Sequence, residues 1–238
     1  MSVVCYPRNT VGRSFAVGDI HGNPKTLVKL LKKVNFNTAT DYLYSPGDFF
    51  DRGPDSVGMM EYIFAPWFRG SLGNHELALI HIAYRLPDWE NLARSKGRAW
   101  FVALSQEQQL IIAEALATLP YAMEVETEDG PVGFVHAMSF LDWDSTKECL
   151  NNPGPLALRT LLGDRERSRN NDSRPVKGLR ALIVGHQSHT HPTWRGNTLY
   201  LDTGCGSHSK RITHPTLTLV ELESLSTFYS RETSKDEA

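Results

Sequence analysis

The sequence is poor in cysteine: its three cysteines, Cys5, Cys149 and Cys205, lie far apart and form no Cys-x-x-Cys pair. This spacing argues against a disulfide framework and against a cysteine-ligated zinc, and it suits a reducing compartment. No stretch approaches the roughly 20 apolar residues that a membrane span needs. The N-terminal residues contain no long apolar run of the kind found in secretory signals. We therefore expect a cytoplasmic protein without a membrane partner.

An excess of charge of one sign is also lacking. Lys and Arg total 25 against 27 Asp and Glu, which gives a formal net charge of −2. Because there is no basic excess, we do not expect a nucleic-acid partner, apart from a nucleotide as a substrate. The 238 residues suit one α/β domain, which we place at residues 1–229, followed by a flexible tail at 230–238. The sequence predicts no particular oligomeric state.

The first third of the chain repeats a short apolar strand, a polar loop and a helix three times. The three strands are predicted at 14–17, 42–45 and 67–72. The helices that follow them are predicted to begin near Pro24, Pro54 and Glu76. This alternation favours a parallel sheet with a ligand site at the carboxyl ends of its strands. Further strands are predicted at 121–126, 132–136, 181–184, 198–201 and 216–222.

Side chains that can bind metal ions follow these predicted strands. They are Asp19 and His21 after the first strand, Asp48 after the second, Asn74 and His75 after the third, and His136 and His186 after later strands. Carboxylate and amide oxygens mixed with imidazole suit a divalent first-row ion such as Mn²⁺, Fe²⁺ or Zn²⁺, and one carboxylate can bridge two ions. Two ions about 3.5–4 Å apart can polarise a phosphoryl group and acidify a water for phosphoester hydrolysis.

Each of these motifs also has a purely structural interpretation. Gly-Asp is common where a strand exits into a turn, Asn74 could cap a helix, and a lone histidine is usually a satisfied core residue. Three such motifs in order, each at a predicted strand end, favour a metal site instead.

The motifs resemble the signature of a known family. The blocks Gly-Asp-Ile-His-Gly at 18–22, Gly-Asp-Phe-Phe-Asp-Arg-Gly at 47–53 and Gly-Asn-His-Glu at 73–76 are similar to those of the phosphoprotein phosphatase family of metallophosphoesterases, in its compact bacterial and bacteriophage branch. The resemblance covers most of the chain, residues 15–206. It implies a calcineurin-like α/β sandwich of central mixed β-sheets flanked by helices. It also implies two divalent metal ions, with Mn²⁺ expected first and Fe or Zn as alternatives.

The resemblance assigns metal ligands residue by residue. The first ion would be held by Asp19, His21 and Asp48. Asp48 would bridge to the second ion, whose ligands would be Asp48, Asn74, His136 and His186. The nearby His189 and His191 belong to no motif of the family, and we expect them to lie in an exposed loop rather than to bind zinc.

The resemblance also implies residues that act on the substrate. His75 would not bind metal; it resembles the general acid that protonates the leaving oxygen, with Asp51 orienting its imidazole. A carboxylate partner favours the charged imidazolium. Arg52 would bind phosphate oxygens through its planar guanidinium. A second phosphate-binding arginine is expected between the two late histidine motifs, and we choose Arg165 over Arg167 or Arg159; the alternative is that this charged run is a solvated face.

Two departures from the family pattern leave the substrate open. Arginine usually precedes Gly-Asn-His-Glu in protein phosphatases, whereas this chain has Leu72, and Gln187 stands where threonine commonly follows the histidine. We predict a serine/threonine protein phosphatase that acts on phosphorylated protein or a small phosphoester. The alternative is a symmetrical dinucleoside tetraphosphate hydrolase, which the leucine favours. A third hypothesis, a catalytically silent metal-binding module, conflicts with the full set of site residues.

Overall fold

The computed structural model describes residues 3–207, 209 and 212–231. The strands are β1 (Val3–Tyr6), β2 (Ser14–Val17), β3 (Tyr42–Ser45), β4 (Phe68–Gly70), β5 (Ala122–Val125), β6 (Val132–Val135), β7 (Ala181–Val184), β8 (Thr193–Arg195), β9 (Thr198–Tyr200), β10 (Thr216–Glu221) and β11 (Thr227–Arg231). The α-helices are α1 (Pro24–Lys33), α2 (Met60–Ile63), α3 (Asn74–Ala83), α4 (Trp89–Ala93), α5 (Ala99–Val102), α6 (Gln106–Leu116), α7 (Trp143–Leu150), α8 (Pro155–Gly163) and α9 (Glu166–Arg169). A 3-10 turn lies at Lys96–Arg98.

The strands form two mixed sheets, which confirms the predicted fold class. One sheet has the order β11-β10-β2-β3-β4, in which β2, β3 and β4 run parallel and β10 is antiparallel to β2. The other has the order β1-β5-β6-β7-β9-β8, with β6, β7 and β9 parallel. The strands β5 and β6 form an antiparallel hairpin, and the connection between them contains an Asp-Gly pair at 129–130.

Three apolar layers hold these elements in a helix–sheet–sheet–helix sandwich. The layer between the sheets includes Tyr44, Phe134 and Ile183. The layer outside the first sheet is covered by α1, α3, α5 and α6, and the layer outside the second by α7 and α8. Burial of a large apolar side chain contributes roughly 1.5–3 kcal/mol. Packing therefore fixes the strand ends from which the polar loops emerge.

Some element boundaries differ from those predicted. The predicted start of the second helix, at Pro54, is wrong. Residues 56–59 form turns, and α2 begins only at Met60. The cause is local side-chain bonding: the Asp51 N–H donates to Ser56 Oγ (2.9 Å), and the Gly58 N–H donates to Asp55 Oδ1 (2.7 Å). Such bonds compete with continuation of a helix.

Other elements had no clear sequence signal. The strands β1, β8 and β11 and the helices α7, α8 and α9 were not predicted. Since β11 pairs with β10 through Arg231, the predicted tail begins two residues too early, and residues 232–238 lie outside the described part of the chain. No helix among the described residues is long and apolar enough to cross a membrane.

Candidate metal centre

The predicted ligands come from the loops at the carboxyl ends of parallel strands in both sheets. Asp19 and His21 follow β2, Asp48 follows β3, and Asn74 opens α3 after β4. In the second sheet, His136 follows β6 directly, and His186 follows β7 after one residue. The two sheet edges meet here, and the structure brings all these side chains together.

Asp48 lies at the centre of the cluster. Its Oδ1 is 3.3 Å from His136 Nε2, and its Oδ2 is 3.7 Å from His21 Nε2 and 3.8 Å from His75 Nε2. Asp48 is 1% exposed and has a left-handed φ of 58°. Its carbonyl oxygen accepts the N–H groups of Ile20 (3.0 Å) and His21 (3.1 Å), which hold this uncommon conformation. The geometry fits a carboxylate shared between two ions.

Asn74 defines the second half of the cluster. Its Oδ1 lies 2.9 Å from His136 Nε2 and 2.8 Å from His186 Nδ1. Asp48, His136 and His186 form one of two groups of described residues whose ligand atoms all lie within 4.8 Å of one another. The amide oxygen and the two imidazole nitrogens are therefore aimed at one point beside Asp48.

Hydrogen bonds to the outer ring nitrogens orient two of the histidines. His21 Nδ1–H donates to Phe50 O (2.9 Å), and His136 Nδ1–H donates to Pro46 O (3.2 Å). With Nδ1 bonded in this way, each ring turns Nε2 into the cluster, where it can offer a lone pair to a metal ion, as is usual for metal-binding histidines. His21 Nε2 is fully buried and has no hydrogen-bond partner among the described residues. A buried nitrogen of this kind fits a metal ion as its partner.

The electrostatics of the cluster also suit cations. Burial raises the pKa of Asp19 well above its usual value, and the nearby Asp202 and Asp48 carboxylates add to this effect. Burial alone would raise the pKa of Asp48, but His136 and His75 hold it well below its usual range. Burial lowers the pKa of His21 to about 3 and that of His186 to about 3. Both imidazoles are therefore neutral near pH 7, the form that binds metals.

Asp19 is the third proposed ligand of the first metal ion, beside His21 and Asp48. Its Oδ2 is 3.9 Å from His21 Nε2, and the same oxygen accepts the N–H of His186 at 3.0 Å. Gly185 packs against it so closely that an added Cβ would lie 2.0 Å from Asp19 Oδ1. The absence of a side chain at 185 thus leaves the space that the Asp19 carboxylate occupies.

By distance alone, His75 could replace Asp19, since His21, Asp48 and His75 form the other close group. However, the Arg52 guanidinium Nη2 lies 3.2 Å from His75 Nε2, and a cation beside that nitrogen opposes a metal ion at the same place. On its other side, His75 Nδ1–H donates to Asp51 Oδ2 at 2.7 Å. This contact is the one predicted for the acid pair.

The structure separates the candidate arginines of the charged segment. Arg165 Nε donates to His186 Nε2 at 3.0 Å, so its side chain lies at the edge of the cluster. Arg167 is buried away from it, paired with Asp172 at 3.4 Å and donating to the Arg174 carbonyl. Arg159 is exposed on α8. Of the three, only Arg165 reaches the predicted ligands.

Sequence reasoning missed several residues that support the site. Glu76 accepts the backbone N–H groups of Asp48 (2.8 Å), Phe49 (2.9 Å) and Gly73 (3.0 Å), and so ties two ligand loops together. Burial and the charge of Asp48 raise the pKa of Glu76 to about 7. The buried Asp202 accepts Ser188 Oγ–H (2.6 Å). Arg98 and Trp100 were also missed, and both contact Asp51.

The fold and the cluster together define a metal-dependent phosphoesterase. The family model described as calcineurin-like phosphoesterase matches residues 13–205, and the chain belongs to this family. It is accordingly a metal-dependent phosphatase that uses divalent metal ions.

Similar proteins carry two different names. Serine/threonine-protein phosphatase 2 of Salmonella typhimurium is 30% identical over 196 residues, which cover 80% of this chain and 86% of the relative. A symmetrical bis(5'-nucleosyl)-tetraphosphatase of Cellvibrio japonicus is 39% identical over only 77 residues, 31% of this chain and 28% of that protein. A solved protein serine/threonine phosphatase from Saccharomyces cerevisiae superposes with a TM-score of 0.61 at 15% identity, covering 99% of this chain and 85% of that one. At that identity, the superposition shows the shared fold.

Proposed function

We propose that the chain is a serine/threonine protein phosphatase with two divalent metal ions at Asp48. Asp19, His21 and Asp48 would hold one ion, and the second would be held by Asp48, Asn74, His136 and His186. Mn²⁺ is the proposed metal, because oxygen ligands mixed with imidazole suit it, and the proposed location is the cytoplasm. Bound there, the ions would supply Lewis-acid activation of the phosphoryl group and of water.

The residues of the chain would supply the remaining chemistry. His75 would deliver a proton from Nε2, the nitrogen that faces Asp48, to the leaving oxygen once Arg52, whose Nη2 lies 3.2 Å from that nitrogen, engages the phosphate. Asp51, which accepts from His75 Nδ1–H, would keep the ring oriented and favour its charged form. Arg52 and Arg165 border the cluster on opposite sides, beside His75 and His186, and would bind phosphate oxygens.

The choice of protein substrate is supported chiefly by the extent of the similarity to the Salmonella phosphatase, which spans most of both chains. The alternative is hydrolysis of a symmetrical dinucleoside tetraphosphate, which the shorter Cellvibrio match favours. Leu72 was the residue that suggested this alternative. Its side chain is 1% exposed and packs in the apolar layer with Val135 and Tyr200, so it makes no direct contact with the site.

One assay separates the candidates. The Mn²⁺-loaded protein is given a phosphoserine or phosphothreonine peptide and diadenosine tetraphosphate in parallel, with Asp48→Asn as the inactive control. A kcat/KM at least about tenfold higher for the peptide is expected. Preference for the dinucleotide would replace the proposal with the alternative. Failure to hydrolyse even p-nitrophenyl phosphate would identify a silent module.

His75→Asn tests the acid role. The variant should retain Mn²⁺ and lose on the order of 10²–10⁴-fold in turnover, the range of general acid catalysis. His81→Asn, at a half-buried position of the same helix α3 where the ring contacts Pro87 O (3.2 Å), is the matched control and should keep full activity. Near-normal turnover of His75→Asn would refute the role.

A further inference from the structure

The buried carboxylate of Asp51 is held by more than His75. Asp51 Oδ2 lies 2.7 Å from His75 Nδ1 and 2.9 Å from Arg98 Nε, and Asp51 Oδ1 accepts Trp100 Nε1–H at 2.9 Å. Asp51 is 0% exposed. Because each oxygen has a fixed donor, the carboxylate cannot rotate without losing a contact. Two of its three side-chain partners come from the 96–100 segment, outside the three sequence motifs.

The same segment supports the backbone of the turn. Asp51 and Arg52 are consecutive residues with left-handed φ values of 69° and 66°. Non-glycine residues in this conformation are strained and persist only where their surroundings enforce it. The Arg52 N–H donates to Gly97 O (3.4 Å), and a Cβ at Gly97 would lie 3.2 Å from Arg52 N. The segment therefore packs directly on the residue proposed to bind phosphate.

Arg98 and Trp100 are themselves fixed in place. Arg98 is 8% exposed, and its Nη1 donates to Leu92 O at 3.2 Å. The Trp100 ring stacks on Phe50, with centroids 5.7 Å apart, and meets Phe101 edge-on at 5.3 Å. These contacts fix the positions of both side chains beside Asp51.

We infer that Arg98 and Trp100 are positioning residues that hold Asp51 against His75. The inference rests on the proposed acid role of His75. Without Arg98, the buried carboxylate would lose the guanidinium beside its Oδ2, and without the Trp100 N–H it would be free to turn away from His75 Nδ1. Either change would misplace the imidazole without touching a metal ligand.

Leaving-group dependence tests this inference. A phenolate that leaves readily, such as that of 2,4-dinitrophenyl phosphate, needs little protonation, whereas that of phenyl phosphate needs a general acid. Arg98→Met keeps the aliphatic stem and removes the charge, and Trp100→Phe keeps the stacking and removes the N–H. In each variant, the loss of kcat for phenyl phosphate should exceed the loss for the dinitrophenyl ester on the order of tenfold. This selective loss should be smaller than that of His75→Asn.

Controls separate positioning from general damage. Arg94→Met removes an exposed arginine of the same region and should match the parent protein on both esters. Arg98→Lys should restore part of the lost activity, and Mn²⁺ content should be unchanged in every variant. In the double variant His75→Asn/Arg98→Met, the loss specific to phenyl phosphate should be no larger than in His75→Asn alone, because both residues act through the same proton.

The outcomes distinguish this inference from the function on which it rests. Equal loss on both esters in Arg98→Met and Trp100→Phe, while His75→Asn remains selective, would overturn the inference alone. A His75→Asn variant with equal loss on both esters would overturn the acid role, and the inference with it. Selective loss in all three variants would support both.

Discussion

Gly185→Ala isolates the contribution of Asp19 to metal binding. A Cβ at this position would lie 2.0 Å from Asp19 Oδ1, 3.1 Å from its Cγ and 3.4 Å from Pro46 Cγ. An ordinary contact begins at about 3.4 Å, so the carboxylate must move by roughly 1 Å or more. Metal–ligand distances tolerate about 0.2 Å. Asp19 would therefore leave the first metal position, while the backbone of residue 185 could accept alanine.

The expected effect is a loss of metal affinity with little loss of fold. Disturbing a single supporting contact at a metal site typically costs 10–100-fold in affinity, or about 1.4–2.8 kcal/mol, and we expect at least this much for one of the two ions. Calorimetric titration of the metal-free variant with Mn²⁺ measures it. Gly154→Ala is the matched control, because nothing lies within 4 Å of its added Cβ. Two ions bound to Gly185→Ala with unchanged affinity would refute the placement of Asp19.

Three further predictions concern the surroundings of the centre. Glu76→Ala leaves several buried N–H groups without an acceptor and should lower the urea-derived free energy of unfolding by about 3 kcal/mol or more. The exposed control Glu114→Ala should change this free energy little. Equal unfolding free energies for Glu76→Ala and the parent protein would contradict the anchoring role. Removing metal with EDTA should lower the thermal midpoint, and Mn²⁺ at 100 times its Kd should restore about 2.7 kcal/mol. A thermal midpoint that does not change on metal removal would count against a metal site. Arg52→Ala should lower kcat/KM on the order of 10²–10³-fold at unchanged metal content, and unaltered kinetics would exclude it from phosphate binding.

The clustering of the proposed metal ligands could be predicted because each lies in a short motif at the end of a strand. Asp19, Asp48 and Asn74 follow apolar segments whose parallel arrangement brings their carboxyl ends to one edge. The alternation of strand and helix was enough to predict that edge without knowing the packing of the second sheet. Arg165 was chosen over its neighbours by resemblance, and only it reaches the cluster.

The supporting residues could not be predicted in the same way. Arg98 and Trp100 lie in short helical turns with no motif, and their contacts with Asp51 depend on how those turns pack against the loop after β3. Glu76 does lie in a motif. Its role is nevertheless set by the neighbouring loop, whose backbone N–H groups point to it only after β3 and β4 pair.

We propose that Asp48 is shared by two metal ions. The most direct test of this proposal is the number of Mn²⁺ ions bound per chain after equilibrium dialysis, counted by elemental analysis, with electron paramagnetic resonance reporting coupling between them. We expect two spin-coupled ions per chain in the unaltered protein and loss of coupled occupancy in Asp48→Asn. A single uncoupled ion in the unaltered protein, or two coupled ions in Asp48→Asn, would contradict it.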